Sequence, residues 1–414
     1  MSADAAATVP VWLDDDFIKQ SLKYVSNFED CSIVSASVKG ATVGKENYLS
    51  DTFRMTVTFK HRIKCYTMTL SFFIKCLPDG KTVREVAQNM GAFEREISVF
   101  TKMLPVMTQL LQSADPKKYS QLAAVCFHSG SEPVDYLMLE DLRDSGYVIA
   151  KRSQGLDLAH SRAVVRKLAE LHAASIGLIM KDRTCMDNYK TFSIFNGDAA
   201  PQMKNFFKNA CLLLARELER AGGHYSTYAS KLRAISKTAF ANISEITKWK
   251  KRRFQALIHA DCWTNNMMFK YLGGSVNDVV LIDFQMAHFS SPSLDLQYFL
   301  HTSLKEEVYV SHVEDLLEEY YFHLIETLDD IGVTQEHHIS YDDFRQDYED
   351  HSWFSLYGAI AIQPLVRSDE RKGFDIEAAI NGCDTAVNSE AYANNSFLRC
   401  IKLMLPVFER KGLL

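Results

Sequence analysis

Four polar residues in one region are of the right types for phosphoryl transfer. In LIHADCWTNNMMFKY, His259, Asp261 and Asn266 stand at relative positions 1, 3 and 8. Asp283 follows Asp261 by 22 residues, in VVLIDFQMAHF, after an apolar run. Polar residues packed between short apolar strands are costly unless they face a site. An Asp in a tight loop can orient an attacking hydroxyl or accept its proton. An Asn a few residues on supplies a neutral oxygen to Mg²⁺, and a second Asp at a strand end supplies a charged one. Such hard oxygens, with phosphates completing the shell, are what Mg²⁺ prefers. Alone, each of these residues reads as an Asx turn in a polar loop.

Their order with residues upstream changes that reading. Lys75 lies in FFIKCLP, near the end of an apolar strand, where a lysine is expensive unless paired. Glu96 lies in FEREISVF, between Phe93 and Phe100 on the apolar side of the next helix. A strand Lys held by a helix Glu, gripping nucleotide phosphates, is the kinase arrangement. YLMLEDLRDSGY would be the hinge, where the backbone from Glu140 to Leu142, through Asp141, can hydrogen-bond an adenine edge.

The elements that position these residues follow from periodicity. A short helix is expected over Asp14–Tyr24. Strands are expected over Ser32–Val38, Thr52–Phe59 and Thr67–Cys76, from their alternating or continuous apolar character. Apolar positions three or four apart predict one helix over Val83–Met103, ended by Pro105. Two strands follow, Ala123–Phe127 and Val134–Leu139. The period then becomes helical over Leu158–Ile176, Met203–Ala221 and Tyr225–Trp249. One β island interrupts it, with strands Gln255–His259, Met267–Tyr271 and Asp278–Asp283. The layout is a small β-rich lobe followed by a large helical one, with the boundary near Leu142.

Composition sets the outer bounds. The 414 residues carry 46 basic and 52 acidic side chains, a net charge of −6, which argues against a nucleic-acid partner. Nine scattered cysteines with no CxxC pair read as reduced, buried thiols in a cytoplasmic protein. The first ten residues have no signal-peptide pattern, and no apolar run approaches the roughly 18 residues that span a bilayer, so no membrane association is expected. Nothing in the pattern marks an obligate protein partner. KWKKRR at 248–253 reads as a solvated helix end, and His337–His338 as a polar loop. Met267–Met268 read as core; Phe206, Phe207, Tyr298 and Phe354 are aromatic candidates for a hydrophobic acceptor site, with core the preferred reading of each. Trp263 is open between core and acceptor pocket.

Lys75, Glu96, the LEDL hinge, HADCW…Asn266 and DFQ, in that order, resemble the ecdysteroid-kinase-like branch of the choline/aminoglycoside kinase superfamily. That insect-expanded branch carries HGDxWxxN and then DFQ. VPVWL, GKENYLS and PSLDL also resemble its landmarks. The resemblance runs from about Val11 to the C-terminal helices. It implies an α+β, bilobal protein-kinase-like fold of the aminoglycoside phosphotransferase type. Residues 1–141 would form the N-lobe and 142–414 the C-lobe. It implies ATP and Mg²⁺ as cofactors and a small-molecule alcohol as substrate, an ecdysteroid or another apolar or xenobiotic compound. By position, Asp261 would be the catalytic base and Asn266 and Asp283 the metal ligands. Lys75 would hold the α and β phosphates, and Glu96 would hold Lys75. Gly44 through Ser50, with Asn47, would cover the phosphates. His259 would brace the catalytic loop and Asp295 would anchor it. The 120 residues between Asp141 and Asp261 leave room for a helical acceptor pocket, and PSLDL follows Asp283 too closely for an activation loop.

Two departures stand out. Ala260 replaces the Gly of HGD, a change that is harmless if φ is negative there. In the phosphate loop, VGKENYLS has one Gly where relatives often show GxG, with Lys45 in the second position. A choline- or ethanolamine-type kinase is the alternative reading, as is a catalytically weak nucleotide- or sterol-binding pseudokinase.

Overall fold

Residues 9–25, 30–41, 50–61, 66–250, 254–368 and 389–414 are described by a computed structural model. In strand β2 (Asp51–His61), Phe53, Met55, Val57 and Phe59 are all buried. They form one apolar cluster with Phe72 and Ile74 of β3 (Thr67–Cys76). Because side chains alternate along a strand, Arg54 on β2 and Phe73 and Lys75 on β3 face the other way, into a cavity between the lobes. Strand β1 (Cys31–Gly40) pairs antiparallel with β2. The sheet is completed by β4 (Cys126–Gly130) and β5 (Tyr136–Glu140), in the order β1-β2-β3-β5-β4. A helix over Asp15–Ser21 covers the apolar face with Ile18. It is capped by Asp14, whose carboxylate accepts from the N–H groups of Asp16 and Phe17.

The single helix expected over Val83–Met103 is broken. Helix Lys81–Asn89 stops at Gly91, whose φ of +58° no helix accommodates, and a second helix, Ala92–Ser98, carries Glu96. A π-helical turn, Val99–Met103, leads into Leu104–Ala114. Pro105 therefore does not end the helical run: it follows the π-helical turn directly, in the first turn of Leu104–Ala114. In a first turn its missing N–H leaves no hydrogen bond unmade. The helix expected over Tyr225–Trp249 is also two, Tyr225–Ile235 and Ala239–Thr247.

Beyond β5 the chain is mostly helical, and the architecture is α+β and bilobal. Helix Leu158–Lys181 packs along Glu306–Asp330. Two small sheets are set among the helices. One has the order β6-β8-β9, from Tyr147–Val148, Met267–Leu272 and Ser275–Leu281. The other pairs β7 (Ala256–Ile258) with β10 (His288–Ser290). The loop 259–266 leaves β7 and enters β8, and Asp283 lies just past the end of β9. The two sheets thus deliver the polar residues to one place. Among the described residues, no helix is long and apolar enough to cross a membrane.

Candidate active site

The loop after β7 is held from beneath. Asp295, on the fully buried helix Ser293–Thr302, accepts the N–H of His259 at 2.8 Å and that of Ala260 at 2.6 Å. His172 lies 3.2 Å from the same carboxylate, and its other ring nitrogen is 2.8 Å from the Tyr320 hydroxyl. Burial pushes the Asp295 carboxyl up, but His172 and the loop N–H groups bring it below the usual carboxylate range. His259 bridges the loop and the second strand segment. Its Nε2 donates to the Ile282 carbonyl at 2.9 Å, and its Nδ1 accepts from the Asp261 N–H at 3.3 Å. This needs the neutral ring, and burial lowers its pKa accordingly. His259 is not on the cavity wall. Ala260 has φ +65°, so the benign case of a negative φ does not hold. An alanine here adopts a conformation that costs an L-residue roughly 1–2 kcal/mol.

Asp261 stands on the cavity floor with both oxygens engaged. Oδ2 accepts from Asn266 Nδ2 at 2.8 Å, and Oδ1 accepts from the Tyr298 hydroxyl at 2.6 Å. Enclosure by protein raises its pKa to about 7. The Tyr298 hydrogen bond opposes this rise and the Asp283 charge adds to it. Asn266 Nδ2 also donates to the Asp261 carbonyl at 2.9 Å, which turns the amide oxygen away from that loop.

Asp283 has φ +66° and receives Lys75 Nζ at 3.0 Å; the same ammonium is 2.8 Å from Glu96 Oε1. Burial works against a charged lysine, but the two carboxylates outweigh it and its pKa rises. Glu96 Oε1 also accepts the Phe284 N–H at 3.1 Å. Arg95, the preceding residue, donates to the Gln285 carbonyl at 2.6 Å and to the Met90 carbonyl at 3.0 Å. The short Ala92–Ser98 helix therefore grips the Asp283–Gln285 segment at two points.

At the hinge, the Glu140 N–H donates to the Val125 carbonyl at 2.8 Å. Its carboxylate takes Ser145 at 2.6 Å and Gln121 at 3.2 Å. Asp141, buried, accepts a two-point hydrogen bond from the Arg54 guanidinium and the Arg143 N–H. The Leu142 carbonyl accepts from Tyr147 N–H at 3.0 Å. The Glu140 N–H is thus committed within the protein, while Glu140, Asp141 and Leu142 all line the cavity.

The cavity encloses about 320 Å³. Lys75, Glu96, Asp261, Asn266 and Asp283 meet in it; Phe73, Leu139 and Ile282 line it with the hinge. Its other wall is aromatic and aliphatic, from Phe206, Trp263, Met286, Tyr298, Tyr357 and Leu365. Trp263, Tyr298 and Phe206 are therefore both buried and cavity-lining, whereas Phe207 is wholly core. Ser50 is buried beside β2 but not on the cavity wall, and Gly44 and Asn47 lie outside the described residues. Sequence reasoning missed three residues: Tyr298 on Asp261, Arg54 on Asp141, and Arg95 on Gln285. A polar residue at an alternate strand position was a signal for Arg54. A larger open groove of about 980 Å³, between helices 158–181 and 306–330, lies apart from this chemistry. Its charges pair with each other, as in Arg166–Glu319 at 2.6 Å and Lys167–Glu170 at 2.8 Å.

A two-lobed fold with a Lys–Glu–Asp cluster facing an Asp–Asn pair is the arrangement of kinase-like phosphotransferases. The chain belongs to the ecdysteroid kinase-like family, whose family model matches residues 44–333. No curated protein matches it. Among solved structures it is similar to a choline kinase from Cryptosporidium parvum Iowa II. Identity is 13%, coverage is 97% of this chain and 98% of that one, and the TM-score is 0.51. At that identity the likeness concerns the fold alone. It is also similar to a Plasmodium vivax ethanolamine kinase, at 11% identity, 98% and 94% coverage and a TM-score of 0.44. For the GDP complex of aminoglycoside 2′-phosphotransferase-IIIa the values are 14%, 92% and 98%, and 0.38.

Proposed function

We propose that the protein transfers the γ-phosphate of ATP, with Mg²⁺, to a hydroxyl of a neutral apolar alcohol, an ecdysteroid or a related xenobiotic compound. The carrying observation is one cavity in which Lys75, Glu96 and Asp283 face Asp261 and Asn266, with the remaining wall aromatic. Lys75 would hold nucleotide phosphates, and Glu96 keeps it in place. The amide oxygen of Asn266 and the Asp283 carboxylate are hard oxygen donors and fit Mg²⁺, which would neutralise phosphate charge when bound. Asp261 would orient the acceptor hydroxyl and take its proton, at a pKa suited to that task near neutrality. The aromatic wall would exclude water and fix the acceptor's approach. Phosphorylation would add about −1.5 to −2 charges to an uncharged molecule and so trap it in water.

The occupancy of the carboxylates favours a neutral acceptor over choline. A quaternary ammonium calls for an aromatic cage with carboxylates near it. Here Glu96 and Asp283 hold Lys75, Asp141 holds Arg54, Asp261 is held by Tyr298 and Asn266, and Glu140 accepts from Ser145 and Gln121. The test is phosphate transfer from MgATP to ecdysone, to simpler polycyclic alcohols and to choline, read by mass spectrometry of the products. Transfer to the neutral alcohols alone is expected. Transfer to choline alone would turn the reading to the amino-alcohol kinases. Tight MgATP binding with no transfer to any acceptor would make the protein a binding module.

A further inference from the structure

The geometry points to Tyr298 as a positioning residue for the transfer, one that fixes the carboxylate of Asp261 while its ring forms part of the acceptor wall. The inference rests on the phosphotransferase reading and goes beyond it, because Tyr298 belongs to none of the motifs that suggested that reading.

Asp295 and Tyr298 are three residues apart on one buried helix, and so share a face. Asp295 holds the backbone of the catalytic loop through the N–H groups of His259 and Ala260. Tyr298 holds the tip of the Asp261 side chain at 2.6 Å. One rigid element thus sets both the base and the loop that carries it. A carboxylate has two oxygens with two lone pairs each. With Tyr298 on Oδ1 and Asn266 on Oδ2, and Trp263 also hydrogen-bonding the carboxylate, its plane is fixed. The Tyr298 ring lies 5.7 Å from that of Phe354 and 6.4 Å from that of Tyr357, so the aromatic wall fixes its hydroxyl in turn. In the transfer, the acceptor oxygen bonds to the γ-phosphorus as the bond to the β-phosphate oxygen breaks. ADP leaves with that electron pair, and the hydroxyl proton passes to Asp261. The acceptor oxygen can be in line only if the carboxylate does not rotate, and small misplacements at such a step cost up to about 100-fold.

The test compares wild type, Tyr298→Phe, Tyr298→Leu, Asp261→Asn and the double variant Tyr298→Phe/Asp261→Asn. The readouts are steady-state transfer from MgATP to ecdysone and thermal unfolding. Tyr298→Phe keeps the ring and is expected to lose about 10- to 100-fold in kcat, with KM for MgATP and for ecdysone within about twofold of wild type. Tyr298→Leu also removes the ring, so KM for ecdysone rises as well; it carries the test should the Phe variant fold poorly. On the Asp261→Asn background the Phe substitution adds no further loss, because Tyr298 acts through Asp261. Wild-type kcat in both Tyr298 variants, or losses that multiply in the double variant, overturns the proposal while leaving the phosphotransferase reading intact. No transfer by wild type to any alcohol overturns that reading, and the proposal with it.

Discussion

Lys75 Nζ lies 3.0 Å from Asp283 Oδ1, an ion pair between a residue of the five-stranded sheet and one beyond β9, 208 positions later in the chain. Glu96 holds the same ammonium from a third element. Removing one member of a buried charge network strands the others, at about 3–5 kcal/mol. Lys75→Met is expected to lower stability by an amount of that order in urea unfolding and to abolish transfer. Asp283→Ala keeps the Lys75–Glu96 pair and is expected to unfold closer to wild type. It should lose most of the thermal stabilisation that MgATP gives, which for wild type at 100 times Kd is about 2.7 kcal/mol. Equal MgATP stabilisation in wild type and Asp283→Ala would remove Asp283 from the site.

As the proposed base, Asp261 should set the pH dependence of activity through its raised pKa. A base must be unprotonated to work, and this one ionises at about 7. The rate at low substrate is therefore expected to fall about tenfold per pH unit below 7 and to level off above it. Asp261→Asn should lose about 10²–10⁴-fold in kcat. A rate flat from pH 5 to 9 would show that another group takes the proton.

Acid stability turns on two other side chains. His288 and His301 are wholly buried, and burial lowers each to about 3. Unfolded, both return to about 6.5 and bind protons that the folded state refuses. Their contribution is fully present above pH 6.5 and is lost as pH falls from there toward 3, by about 1.4 kcal/mol per pH unit for each histidine. Asp261 and Glu96, each raised to about 7, bind protons in the folded state over the same range and work in the opposite direction, so the histidine effect is read as a difference: between pH 7 and pH 5 the urea midpoint of His301→Gln should fall less, or rise more, than that of wild type.

Ala260 gives a test of backbone strain. Ala260→Gly relieves the positive-φ cost of roughly 1–2 kcal/mol. It gives up about 0.8 kcal/mol of buried methyl and some of the order imposed on the unfolded chain. These offset, so the melting temperature is expected to stay within about 3 °C of wild type, where glycine in a helix would cost stability. Ala260→Val, branched at the same φ of +65°, should be clearly destabilised.

The Arg54–Asp141 pair ties the roof of the cavity to the hinge. Arg54→Lys keeps the charge but not the two-point fork. It is expected to raise KM for ATP severalfold with kcat little changed, as equilibrium nucleotide binding would also register.

Much of this site was legible because its parts obey local rules. Strand alternation put Lys75 opposite Phe72 and Ile74, and helical spacing put Glu96 on the inner face. The DFQ aspartate came at the end of an apolar strand. The order of the elements gave the two lobes. Tyr298 was read as core because its spacing in the helix is that of a core residue; only the fold brings it onto a carboxylate 37 positions earlier. The helix break was present as Gly91, but the apolar period runs through it. Pro105 stops or starts a helix by the same chemistry, so its type alone could not say which.

The double grip of the Ala92–Ser98 helix on Phe284 and Gln285 has a mechanical side. That helix is hydrogen-bonded to the larger lobe, although it follows β3 of the five-stranded sheet in the chain. Phe93 of the same helix packs with Leu77, just past β3, so Glu96 is held from both lobes. Lys75 thus bridges the two lobes, and the cleft cannot widen at this point without parting its ammonium from at least one of the two carboxylates.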